Sequence, residues 1–176
     1  MNKKGYAGTS ITDLEKATGL TKGSIYGNFE NKEQIAYAVF DYNLQQLRKA
    51  ISNAEEKCIT YKDKLLANIA VYYNLGDGNG GCPMMNTAIE ADDTHEGLRQ
   101  RAADGVLRWK QDLTTLIEKG IASGEFKKDT DKEKISLVLI ALIEGGIFIG
   151  KTTQHLVFFD IVMTAAKETI RSICLK

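Results

Sequence analysis

A single proline, Pro83, occurs in 176 residues, so nothing in the composition forbids long helices. Cysteine is also scarce. Cys58, Cys82 and Cys174 are odd in number and far apart, which excludes a disulfide framework and suits a reducing interior. There are only two histidines, His95 and His155, and no nucleophile motif surrounds either, so an enzyme is not expected. Net charge is absent too, with 23 basic and 23 acidic side chains. That balance excludes a chain coated in basic charge but leaves room for a local patch. No secretion signal opens the sequence. Its most apolar run, "ISLVLIALIEGGIFIG" (135–150), is shorter than a bilayer span and contains Glu144, so it reads as a buried helix. Repeats, low-complexity tracts and sustained period-two alternation are missing as well, so no sheet is expected. The expectation is a cytoplasmic protein with no membrane association, no cofactor and no metal.

What is present points to an all-α fold. Hydrophobic residues make up 43%, enough for a core, and 26% are charged, mostly in periodic stretches. Residues 1–50 hold seven basic and five acidic side chains, a weak positive bias. Helix punctuation is dense there. Ser10 with Asp13 marks a helix start, and Gly19 supplies the left-handed residue past its end. Thr21 caps a very short helix that ends near Phe29. Asn31 with Gln34 opens a long one through Ile35, Val39, Leu44, Leu47 and Ile51. Further helices are expected at 60–75, 84–91, 96–123, 131–150 and 155–175. Asp131 serves as a cap, and the clearest apolar stripe runs from Leu98 through Trp109 to Ile121.

The stretch "GLTKGSIYGNFENKE" (19–33) is the most informative. Two helices joined by a tight glycine turn form the helix-turn-helix layout, whose second helix enters the DNA major groove. Ile25 and Phe29 would face inward, leaving Lys22, Gly23, Ser24, Tyr26, Gly27 and Asn28 outward. Each glycine costs about 1 kcal/mol of helix stability against alanine, which makes sense where a backbone must approach another surface closely. By spacing alone, a plain helical corner competes evenly with that reading.

The residues go further. "GYAGTSITDLEKATGLTKGSIYGNFENKEQIAYAVF" (5–40) closely resembles the DNA-binding head of the tetracycline-repressor (TetR) family. The match runs through Gly5-Tyr6, Thr9-Ser10, Asp13-Leu14, Ala17, Gly19 to Gly23, Ile25-Tyr26, Phe29 and Lys32-Glu33. The resemblance implies that Thr9 and Ser10 bind backbone phosphate at a helix N-terminus. It places Thr21, Lys22, Gly23 and Ser24 over base edges and phosphates, and has Tyr26 and Lys32 clamp phosphates. Asn28 reaches a phosphate or stays idle. The family's heads open with a further amphipathic helix before the Gly-aromatic pair, whereas only "MNKK" precedes Gly5. A mis-assigned start, a shortened chain and a genuine variant all fit that difference.

The resemblance divides the chain into a head at 1–45 and a ligand-binding and dimerisation body at 46–176. In the body, "LTTLIEKGIASGEFKKDTDKEKISLVLIALIEGG" is similar to the family's late region. It implies a homodimer through the last two helices, a double-stranded DNA operator and a small-molecule effector. The nearly all-apolar 131–150 helix agrees, since one subunit cannot bury all of it. Candidate effector contacts are Tyr72, Tyr73, Asn86, Glu90, Trp109 and Phe148, with Asn86 and Glu90 favoured as a polar pair needing a partner. "GDGNGGC" (76–82) reads as a flexible connection rather than a phosphate or calcium loop. "EADDTHE" (90–96) reads as a helix start capped by Asp93 or Thr94 rather than a metal site. Cys82 reads as a small buried residue rather than a redox sensor. The function expected is a ligand-responsive DNA-binding transcriptional regulator, a repressor released from its operator by a small molecule. The alternative is a dimeric small-molecule-binding protein whose head no longer binds DNA.

Overall fold

The computed structural model describes residues 1–73 and 80–175. Among them are eight helices: α1 (Ile11–Thr18), α2 (Lys22–Asn28), α3 (Lys32–Glu55), α4 (Tyr61–Tyr73), α5 (Pro83–Ala91), α6 (Glu96–Ala122), α7 (Lys132–Thr153) and α8 (Leu156–Ile173). A single antiparallel bridge, Phe126 to Cys174, is the only extended pairing among the described residues.

Local chemistry sets most boundaries. Ser10 and Asp13 form a reciprocal capping box on α1, which ends at Gly19 with φ 72° and its N–H on the Glu15 carbonyl. Thr21 Oγ1 accepts the Ser24 N–H, Asn31 Oδ1 the Gln34 N–H and Asp131 Oδ1 the Lys134 N–H. Pro83 opens α5, where its missing N–H costs nothing. At α6 the expected cap is corrected. His95, not Asp93 or Thr94, is the N-cap, its Nδ1 accepting from Leu98 N. Thr94 instead turns its hydroxyl back to the Glu90 carbonyl.

The main core lies where α4, α6, α7 and α8 meet. Leu65 and Ile69 of α4, Leu113 and Ile117 of α6, Leu139 and Ile143 of α7, and Met163 and Ile170 of α8 are all essentially sealed from water. The α6 stripe faces this core as its spacing predicts. A buried Thr114–Ser136 hydroxyl pair, 3.0 Å apart, ties α6 to α7. Lys127 N donates to Ile173 O and Leu175 N to Glu125 O, clipping the α6–α7 turn to the chain's last residues.

α7 runs three residues beyond the expected stop at 150. At 22 residues it is long and apolar enough to cross a membrane by length and composition, contrary to the reading of its apolar run as too short. It packs instead on α6 and α8, burying one face in the core. The other face stays open, with Leu137 and Phe148 exposed.

α3 belongs to both ends of the molecule. Its first turns bury Ile35, Ala36 and Phe40, and Phe40 and Leu47 both belong to the main core. A smaller cluster of Ala36, Ala91 and Leu98, flanked by Met1, Tyr6 and Tyr37, fills the joint between the head and the α5–α6 corner.

Candidate functional site

α2 presents a narrow, polar and open face. Thr21, Lys22, Gly23, Ser24, Tyr26, Gly27 and Asn28 are all exposed, and only Ile25 is buried. A Cβ built on Gly27 meets nothing within 4 Å, and one on Gly23 only the Thr21 hydroxyl at 3.9 Å. The glycines are therefore not required by packing within the chain. Local bonds fix the pose of this helix. Lys22 N donates to Glu15 Oε1 at 2.7 Å, locking the turn, and Asn28 Nδ2 donates to Ser24 O at 3.0 Å. Ser10 stands exposed at the N-terminus of α1.

Thr9 departs from its expected role. It is only 2% exposed, and its hydroxyl donates to Gly5 O at 2.6 Å. Its side chain closes the turn before α1 and does not face outward to a phosphate. Lys32 holds its ammonium 4.5 Å from the centroid of the Tyr6 ring, a cation–π contact that steers it along the head's surface.

The six effector candidates do not converge. Tyr72 and Trp109 stack at 5.0 Å between ring centroids, 21° from parallel, and line a cleft of about 290 Å³ between α3, α4 and α6. Tyr73 is edge-on to Phe159 at 4.8 Å and lines a second cavity of about 290 Å³ that Tyr72 also borders but Trp109 does not. Phe148 is 52% exposed on α7. Asn86 and Glu90 do have the partner their polarity demands, but it is the chain's own N-terminal segment. Glu90 accepts the Tyr6 and Ala7 N–H groups at 2.6 and 2.7 Å. Asn86 Nδ2 donates to Gly80 O at 2.7 Å and to Asn2 O at 3.2 Å. This pair pins the head to α5. The joint continues at His95, whose ring meets Tyr6 edge-on at 5.1 Å and whose Nε2 is 3.6 Å from Glu33 Oε1. Glu33 also accepts the Tyr37 hydroxyl, which raises that phenol's pKa.

The cleft contains polar residues that sequence reasoning missed. Asn68 of α4 is 2% exposed and donates from Nδ2 to Glu55 Oε1 at 3.1 Å. Burial pushes the Glu55 carboxyl upward, and the Asn68 bond partly offsets it. At the mouth, Arg48 of α3 pairs with Asp112 of α6 at 3.4 Å. A signal for Asn68 was present, since it shares a buried stripe with Leu65, Ile69 and Tyr72 at helical spacing.

Elsewhere, Asp92 and Asp93 are exposed at the end of α5, and no group of three His, Cys, Asp or Glu that could hold a metal exists among the described residues. Cys82 is fully buried and its thiol is pushed up by that burial, so it is a poor nucleophile at neutral pH. Residues 76–79 of the expected flexible connection lie outside the described residues.

Two family profiles match this arrangement. One, described as bacterial regulatory proteins of the tetR family, covers residues 1–39. The other, described as the tetracyclin repressor-like C-terminal domain, covers residues 62–166. The chain belongs to the TetR family of transcriptional regulators. A TetR-family transcriptional regulator from Cytophaga hutchinsonii is 49% identical, with a TM-score of 0.94 over 99% of this chain and 89% of that one. A TetR regulator from Chloroflexus aurantiacus is 35% identical, with a TM-score of 0.92 over 99% and 90%. Among curated proteins, the HTH-type transcriptional repressor DhaR of Mycobacterium sp. is 25% identical over 169 residues, 96% of this chain and 85% of its own length. The first profile ends within α3, and the second runs from α4 into α8.

Proposed function

We propose that the protein is a cytoplasmic, homodimeric repressor that leaves its operator when a small molecule occupies the body. The exposed face of α2 is the observation that carries this reading. Its backbone is bare at Gly23 and Gly27 while Thr21, Lys22 and Ser24 surround it. A helix slim on one side fits the major groove, and its N-terminal residues reach base edges there. Ser10, Tyr26 and Lys32 lie where backbone phosphates would pass.

A dimer supplies the second reading helix, and two half-sites about 34–36 Å apart match two successive grooves. The open faces of α7 and α8 support that assembly. Leu137, Phe148, Leu156, Val157, Phe158 and Ile161 are all exposed in one protomer, more apolar surface than a lone subunit carries comfortably. The position of Gly145, where an added Cβ meets nothing within 4 Å, allows close approach of a second helix. A monomer by light scattering at micromolar concentration would overturn this part.

Fluorescence anisotropy on duplex DNA from the gene's own upstream region tests the whole. Salt-sensitive, sequence-selective binding is expected. Lys32→Ala should weaken all sequences alike and lower the salt slope by about one, whereas Lys22→Ala or Ser24→Ala should change sequence preference. One observation favours a second reading, a ligand-binding dimer with an inactive head: α1 contains no buried residue at all. Absence of selective binding at low salt, with an intact dimer, would establish that alternative.

A further inference from the structure

Two residues that line the α3–α4–α6 cleft each carry a buried polar atom with no partner among the described residues. Asn68 Oδ1 is an acceptor and Trp109 Nε1–H is a donor. Both residues are sealed, at 2% and 5% exposure, and both line the same cleft of about 290 Å³. A buried polar group left unsatisfied keeps its full desolvation penalty. Leu47, Ile51, Met84 and the Tyr72 ring line the cleft with the Trp109 indole, alongside charged Arg48, Glu55, Arg108 and Asp112.

Taking the cleft as the effector site of the proposed repressor, we infer that its ligand is a neutral, flat molecule with one hydrogen-bond donor and one acceptor, of the aryl amide or lactam class. Its carbonyl accepts from Trp109 Nε1–H, and its N–H donates to Asn68 Oδ1. The ring fills the space beside the Tyr72–Trp109 stack. Charge is disfavoured for two reasons. Arg48 at the mouth is already paired with Asp112. The half-buried Glu55 carboxyl is held by Asn68 Nδ2, and burial raises its pKa. An anion finds only Arg108, which lines the cleft but stands exposed to solvent where an ion pair is worth little, and a cation would lose its hydration for a carboxyl already bonded to Asn68. An amide instead restores both missing bonds at once, and buried polar groups in a site reject ligands that leave them unpaired.

Trp109 is the chain's only tryptophan, so its emission reports occupancy directly. The probes are benzamide, toluene and benzoate, which share a ring and differ in polar groups. Fluorescence titration should show benzamide binding at least about tenfold more tightly than either rival, the discrimination expected for one to two satisfied hydrogen bonds. Asn68→Leu, followed by emission, and Trp109→Phe, followed by calorimetry, should each abolish that preference while toluene affinity stays within a factor of about two or three. Circular dichroism melts confirm that the variants are folded. A preference for benzoate or toluene, a benzamide preference that survives both substitutions, or no binding by any probe would overturn the inference. Operator binding on the same samples separates the two readings. A chain that binds DNA but not benzamide loses only this inference. One that binds benzamide through Asn68 and Trp109 without any effect on DNA loses the repressor mechanism instead.

Discussion

The head and the body are stabilised by different physics. In the body, four helices close around side chains with no solvent contact, and burial dominates. In the head, α1 buries nothing and α2 buries only Ile25, so its geometry rests on caps, turns and one joint with α5 and α6. Capping bonds are each worth about 1 kcal/mol and leave a helix free to fray. The region that must meet DNA is therefore the softer one, and the rigid region is the one that would sense an effector. The joint between them combines a small apolar cluster, Ala36, Ala91 and Leu98, with polar bonds from Glu90 to the Tyr6 and Ala7 N–H groups and from His95 to Glu33.

The contrast can be broken most forcibly from inside the body. Ile143→Ala removes a sealed side chain at the α7 core and should cost about 2–5 kcal/mol in urea unfolding, lowering cooperativity for the entire chain. Ile25→Ala deletes a side chain of similar size in the head. It should abolish selective DNA binding and hydrogen-exchange protection in α1 and α2 while protection in α4–α8 changes little. Simultaneous loss in both regions would mean that head and body unfold as one unit.

Glu144 sharpens the picture of the body. Both carboxyl oxygens are buried without a well-formed hydrogen bond among the described residues, and the Cys82 thiol beside them is a weak donor. Burial raises the carboxyl above its ordinary value of 4.5. The folded state therefore holds the proton more tightly than the unfolded one. Stability is complete below the ordinary value and falls as the pH climbs through the raised one. Glu144→Gln should melt with the parent chain below pH 4.5 and outlast it above, flattening the pH profile of the melting temperature. Parallel profiles for the two chains would refute this. The smallest change, Gly27→Ala, sharpens the picture of the head. It should stabilise α2 by up to about 1 kcal/mol, because the added methyl meets open space. Operator affinity should nevertheless fall, since the methyl occupies the room the groove requires. A gain in both would remove the groove-facing assignment of that backbone.

What the sequence disclosed follows from range. Caps and turns are decided within four residues, so Ser10, Gly19, Thr21, Asn31 and Asp131 were readable one by one. The α6 stripe was readable because burial on one face leaves a periodic trace. Thr9 and Glu90 were misjudged for the opposite reason. Both look like free polar groups locally, yet one folds back on Gly5 O and the other meets backbone more than eighty positions away. The cleft combines residues from α3, α4, α5 and α6, so only its stacked pair, Tyr72 and Trp109, was anticipated. Asn68 is a lone amide inside an apolar stripe, and the Glu55 carboxyl that holds it lies on another helix, beyond the reach of local pattern.

The unbroken run of α3 gives the molecule a mechanical property. At 1.5 Å per residue, the fifteen steps from Lys32 to Leu47 span about 22 Å of stiff rod. One end forms part of the cleft and the other carries the lysine set beside the DNA-facing surface. A rod of that length converts angle into displacement, about 0.4 Å at its tip for each degree of tilt at its base. Moving one reading helix by 2 Å then takes only a few degrees of adjustment where α3 borders the cleft. In the proposed dimer, two such rods would act as callipers whose opening no longer matches the pitch of the double helix.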